Sequence, residues 1–199
     1  MLSIKNDVTS EYIINKSRFI TKLIKVNDVL EIDKKVDEIK NEYKDATHYC
    51  YAFIIGNVKR FNDDGEPSGT AGMPILNVLE SNNLNYILCV VIRYFGGIKL
   101  GAGGLVRAYT KGVTNTLEEC EIISLIEGLE IDIYFNYDQT KDVDYFLKNT
   151  KIINKEFNEK IKYVIQIISN NKDEYLNYFD KNNIDYEIKN DIYIEKELI

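Results

Sequence analysis

Asp63, Asp64 and Glu66 put three carboxylates into four consecutive positions, beside Gly65, Pro67, Ser68, Gly69 and Thr70. Oxygen donors this close could hold a hard divalent cation, pair with basic side chains or move protons. Further along runs Arg93-Tyr-Phe-Gly-Gly-Ile-Lys-Leu-Gly-Ala-Gly-Gly-Leu-Val-Arg107. Consecutive small residues there can turn several backbone N–H groups toward one point, and a helix that follows adds its unpaired first-turn donors. Arg93, Lys99 and Arg107 place positive charge around Gly96, Gly97, Gly101, Gly103 and Gly104. Such a concavity suits a phosphate, a carboxylate or a nucleic-acid backbone. The competing reading is architectural: the glycines allow close packing of strand on helix, while Arg93 or Arg107 pairs with the acidic run. The spacing matches neither Gly-x-Gly-x-x-Gly nor Gly-x-x-x-x-Gly-Lys-Ser/Thr. Lys99 precedes Gly101 instead of closing a phosphate loop, which argues against ATP hydrolysis by the usual arrangement.

The nucleophile candidates are weaker. Ser68 and Thr70 lie outside any Gly-x-Ser-x-Gly pattern, and His48 is the single histidine of the chain. His48 and Cys50 stand two apart at the start of an apolar run, a spacing that puts both on one face of a strand. No third, orienting group accompanies them, so a hydrogen-bonded histidine at a strand entrance is the expectation and no catalytic residue is assigned. Asp63 and Asp64 are adjacent and diverge in extended chain, so a turn is needed to bring both onto one ion. No cofactor and no tightly held metal is expected, only weak magnesium binding alongside phosphate recognition.

Composition narrows the classes. The 199 residues carry 25 basic and 32 acidic side chains, a net charge of −7, which argues against a general duplex binder that needs a broad Lys/Arg surface. The N-terminal stretch is interrupted by Lys5, Asp7, Glu11, Lys16 and Arg18, so no secretory segment is expected. The longest apolar run, Ile87–Ile92, is far too short to span a bilayer. Cys50, Cys89 and Cys120 are single and widely spaced, as reduced thiols of a cytoplasmic protein would be. No membrane partner is expected, and no feature sets an oligomeric state.

The elements that must position these residues form two groups. Ser17–Val26 reads as a strand, and Asp28 with Glu31 opens a helix over 28–43 through a capping box. Tyr49–Ile55 and Tyr86–Ile92 read as central strands. Helices are expected over 72–82, with Pro74 in the first turn, and over 104–119. Residues 129–199 contain no Gly, Pro or Cys. There, strand, helix, two strands, helix and strand follow in the order βαββαβ, and a turn at Glu127-Gly128 is expected to join the groups. The fold class is therefore α+β in two domains, 1–128 and 129–199.

Four stretches are similar to the bacterial YigZ/IMPACT family: Lys16-Ser-Arg-Phe-Ile20, Ala46-Thr-His48, Asp63 through Pro74, and Val91 through Tyr109. The resemblance covers essentially the whole chain. It implies an N-terminal domain resembling domain 2 of ribosomal protein S5, with a mixed sheet and helices, and a small ferredoxin-like C-terminal domain. It also places His48, Asp63, Asp64, Glu66, Arg93 and Arg107 among the family's signature positions. Many members carry Asn after the histidine, where this chain has Tyr49. Eukaryotic relatives regulate translation through an additional domain that binds an activator of an initiation-factor kinase, and that partner is not carried over. What the resemblance implies is a cytosolic recognition or regulatory protein that binds RNA, the ribosome or a translation factor. The alternative is an enzyme acting on a small phosphorylated or carboxylated anion.

Overall fold

The computed structural model describes residues Met1–Leu198. They form two compact units, Met1–Ser124 with Glu197 and Leu198, and Leu125–Lys196.

In the first unit the strands are β1 (Leu2–Ile4), β2 (Val8–Ile14), β3 (Ser17–Lys25), β4 (His48–Ile55), β5 (Val58–Asn62) and β6 (Ile87–Tyr94). The helices are α1 (Ile32–Glu42), α2 (Gly72–Ser81) and α3 (Gly101–Glu118). The central sheet has the order β2-β3-β6-β4-β5. Every pairing in it is antiparallel, so the sheet is not the mixed one that was expected. Strand β6 sits in the middle because both of its faces are apolar. Ile87, Cys89 and Val91 join the core beneath α2 and α3. Leu88, Val90 and Ile92 join the core beneath α1.

Local chemistry sets the boundaries. The Asp28–Glu31 capping box forms, but it opens a short 3-10 turn over Val29–Glu31 before α1 begins. Helix α3 starts earlier than the expected 104, at Gly101, because Ala102 and the flanking glycines can enter the first turn. Strands β2 and β3 meet through Asn15 and Lys16, both at positive φ, the two-residue turn whose twist matches a hairpin.

The second unit contains most of β7 (Ile122–Phe135), then α4 (Thr140–Phe146), β8 (Lys151–Phe157), β9 (Ile161–Ile168), α5 (Lys172–Lys181) and β10 (Asp185–Glu197). Its sheet order is β10-β7-β9-β8. Ile131, Ile133, Phe135, Tyr163 and Ile165 point to one face and pack with Val143, Leu147 and Phe179 of the helices. The turn expected at Glu127-Gly128 is replaced by continuous strand. Gly128 is in that strand for clearance: an added Cβ would lie 2.6 Å from Ile194 Cδ1 and 2.8 Å from the Ile167 carbonyl oxygen. Among the described residues, no helix is long and apolar enough to cross a membrane.

Candidate functional site

The acidic loop links β5 to α2; Asp63 faces into the loop itself and Asp64 faces strand β4. Asp63 Oδ2 accepts the Gly69 N–H at 2.8 Å, while Oδ1 accepts those of Ala71 at 3.0 Å and Gly72 at 2.8 Å. The residue before α2, Ala71, has no capping side chain, so Asp63 supplies the cap from a distance in sequence. Asp64 Oδ2 accepts the Tyr49 N–H at 2.6 Å. Both carboxylates are thus occupied by backbone, and among the described residues no group of three His, Cys, Asp or Glu is arranged to hold a metal. Asp63→Ala is expected to lower stability by about 2–3 kcal/mol, since it strands part-buried N–H donors; a urea titration checks this.

Glu66 points the other way, into the sheet. Its side chain is 4% exposed and that of Arg93 5%, and Arg93 Nη1 donates to Glu66 Oε1 at 2.5 Å. The Tyr109 hydroxyl of α3 donates to the same oxygen at 2.8 Å. The ion pair between the acidic run and an arginine therefore forms at Glu66 and Arg93. The Arg93 guanidinium lies 5.3 Å from the Phe19 ring centroid and 5.4 Å from that of Phe95. Its Nε is buried without a hydrogen-bond partner.

Cys50 does not act with His48. Its thiol donates to the Asp63 carbonyl at 2.9 Å, and its sulfur lies 3.3 Å from the Tyr109 hydroxyl. Burial pushes that thiol up to about 12, so it stays protonated at neutral pH and is no nucleophile. Cys89 is fully buried and pushed up further. Cys120 is half-buried and pushed up to about 11. At neutral pH a disulfide reagent should therefore leave Cys50 and Cys89 untouched and label Cys120 slowly, with all 3 free cysteines reacting after denaturation. Fast labelling of Cys50 would contradict this geometry.

His48 sits directly opposite Arg93 in the β4–β6 pairing, so the two side chains share a face. Its Nδ1 lies 2.8 Å from the Asp64 carbonyl, which can only accept, so Nδ1 carries the proton. In the neutral ring Nε2 is then an acceptor. It stands 3.9 Å from Glu66 Oε2, too far for a direct hydrogen bond.

These groups line a cleft of about 360 Å³, together with Thr47, Pro67, Phe95, Lys99, Leu100, Gly101, Ala102 and Leu105. Of the residues singled out from sequence, His48, Glu66, Arg93, Lys99 and Gly101 meet there. Gly96 and Gly97 serve the turn before it, and Gly103 and Gly104 belong to the first turns of α3. Arg107 reaches back along the helix, its Nη1 3.7 Å from where a Gly103 Cβ would stand. Phe95, 44% exposed, is one of the signature positions that the resemblance carries, but it was not among the residues expected to bind. A large aromatic directly before a glycine pair is the signal that could have marked it as a binding residue. Thr47 holds it in place, accepting the Phe95 N–H at 3.0 Å.

The chain matches the model of the Impact N-terminal domain over residues 15–117, a stretch that contains every lining residue of the cleft. It is 46% identical over 124 residues to the IMPACT family member YvyE of Bacillus subtilis (strain 168), covering 61% of this chain and 57% of that one. The match thus spans little more than half of the Bacillus protein. It is 38% identical over 151 residues to the IMPACT family member YigZ of Escherichia coli (strain K12), covering 72% of this chain and 74% of that one. A solved structure described as a crystal structure of an hypothetical protein aligns with a TM-score of 0.65 at 31% identity, over 95% of this chain and 97% of the other.

Proposed function

This chain belongs to the IMPACT family, and on that footing we propose that it is a cytosolic recognition or regulatory protein. It binds RNA, the ribosome or a translation factor, with the cleft at the start of α3 as its contact surface. The observation that carries this reading is the meeting of three features in one cleft. They are the N-terminus of an 18-residue helix that no side chain caps, the exposed Lys99, and the buried Arg93. The helix N-terminal donors and Lys99 favour phosphate or carboxylate, while Arg93, its charge balanced by Glu66, contributes hydrogen-bond donors. Arg107 extends the positive charge along the helix as a positioning contact.

The same reading assigns the domains 1–128 and 129–199. The first is of the kind seen in domain 2 of ribosomal protein S5, and the second is ferredoxin-like. The order βαββαβ with strands β10-β7-β9-β8 supports the second assignment.

Charge reversal at Lys99 and Arg107 tests the surface. The double variant should bind ribosomes or RNA at least about tenfold more weakly, and its log-affinity against log-salt slope should flatten by about 2 units. Binding unaffected by the change removes the proposed surface.

A second reading is favoured by the concavity of the site and by the lone pair of His48 Nε2. It is an enzyme that takes a small phosphorylated or carboxylated substrate, with His48 as proton acceptor. Turnover of such a metabolite that disappears in His48→Ala would put this reading ahead.

A further inference from the structure

We propose that the cleft takes a single unstacked nucleotide, its base laid on Phe95 and its phosphate set at the start of α3. The inference rests on the recognition reading above and deepens it by naming the ligand class.

Size comes first. At about 360 Å³ the cleft is near the lower end of small-ligand sites, roughly 300–1,000 Å³, and it cannot admit a nucleic-acid duplex or a folded partner's helix. The apolar wall comes next. Phe95 is 44% exposed, and Pro67, Leu100 and Leu105 extend the surface around it. The Arg93 guanidinium, 5.4 Å from its centroid, and the Thr47 hydrogen bond to its backbone hold Phe95 in place. A ring held this way is a stacking platform, and every base has a face that fits one.

The anion end is the N-terminus of α3, where Gly101 and Ala102 line the cleft and Lys99 adds a mobile charge. A helix N-terminus alone would specify little. Arg93, however, lines the same cleft with a side chain 5% exposed, and its Nε has no acceptor. A buried donor left unpaired is unfavourable, and an acceptor brought by a ligand would relieve it.

The deep end asks for a donor. His48 Nε2 and Glu66 Oε2 stand 3.9 Å apart; with the ring neutral both are acceptors, and an N–H group entering between them finds a partner. The pairing edge of every base carries such an N–H. A phosphorylated side chain of a protein would satisfy the helix N-terminus but leave both the Phe95 wall and the acceptor pair without partners.

The test uses the full chain and calorimetry, with backbone amide NMR shifts to locate the site. The probes are the common 5′-mononucleotides, their nucleosides, inorganic phosphate, a phosphoserine peptide and a short single-stranded RNA. The expected result is shifts at Phe95 and Lys99–Gly104, with the nucleoside and inorganic phosphate each at least about tenfold weaker than the mononucleotide. Phe95→Ala should weaken nucleotide binding by about fivefold to a hundredfold, the range of base–aromatic stacking. Thermal unfolding of the variant, measured in parallel, separates loss of binding from loss of the contact that the ring makes with Arg93. RNA binding more tightly than the mononucleotide in the same cleft identifies the ligand as one nucleotide of a strand, and the reverse order identifies it as a free nucleotide. The proposal is overturned if phosphate or the phosphoserine peptide binds as tightly as the mononucleotide, or if Phe95→Ala has no effect. If Phe95→Ala has no effect while the Lys99 and Arg107 reversal still abolishes ribosome or RNA binding, the nucleotide proposal falls and the recognition reading stands.

Discussion

Glu66→Gln is expected to destabilise the protein by about 3–5 kcal/mol, the cost of breaking a buried ion pair from one side. The variant keeps the shape of the side chain and removes only its charge. Arg93 is then a buried cation between the Phe19 and Phe95 rings, with a neutral amide oxygen in place of its counter-ion. The Tyr109 hydroxyl, whose ionisation burial pushes far up, cannot supply the missing negative charge. A urea titration of wild type and variant measures the difference. Replacing both residues, Glu66→Gln with Arg93→Met, should recover much of the loss, because the isolated charge is gone. A Glu66→Gln variant within about 1 kcal/mol of wild type would show that the pair is not desolvated as the structure has it.

Gly96→Ala should cost at least about 3 kcal/mol, more than ordinary overpacking. Its Cβ would stand 2.0 Å from the Lys16 carbonyl carbon and oxygen and 2.5 Å from the Ser17 nitrogen. These are backbone atoms of the β2–β3 turn, and Ser17 is fully buried, so neither side can yield cheaply. The Gly96 N–H also donates to Ser17 Oγ at 3.2 Å, a contact that fixes the turn against the segment leading into α3. Gly97→Ala is the control. Nothing lies within 4 Å of its added Cβ, but φ is +84°, so the cost is only that of a left-handed residue, about 1–2 kcal/mol. Thermal unfolding of the two variants separates the effects. Equal losses would mean that backbone conformation, not the turn's proximity, selects glycine at 96.

Much of the frame was legible because its signals are strong. The run Ile87–Ile92 can satisfy its side chains only between two apolar layers, and β6 lies there. The alternation of Ile131, Ile133 and Phe135 likewise gave the half-buried strand of the second unit. Strand β5 carried no such signal, since Val58–Asn62 are all exposed and show no period. The break expected at Glu127-Gly128 rested on glycine as a turn former, whereas Gly128 answers a close approach by Ile167 and Ile194 that only the folded chain reveals.

The site divided the same way. Clustered glycines and flanking cations marked the segment that leads into α3. The separate fates of the three acidic residues were not written in their spacing. Asp63 turns to amides of its own loop and Asp64 to the Tyr49 amide of β4, whereas Glu66 reaches Arg93 on the central strand β6. The pairing of His48 opposite Arg93 depends on strand register across residues far apart in sequence.

Hydrogen exchange of the full chain, with and without purified ribosomes or RNA, tests the recognition surface most directly. Slowed exchange is expected in the segments Thr47–His48 and Tyr94–Arg107, lost when Lys99 and Arg107 are reversed. Protection confined to residues 125–196 would place binding on the second unit and contradict that expectation.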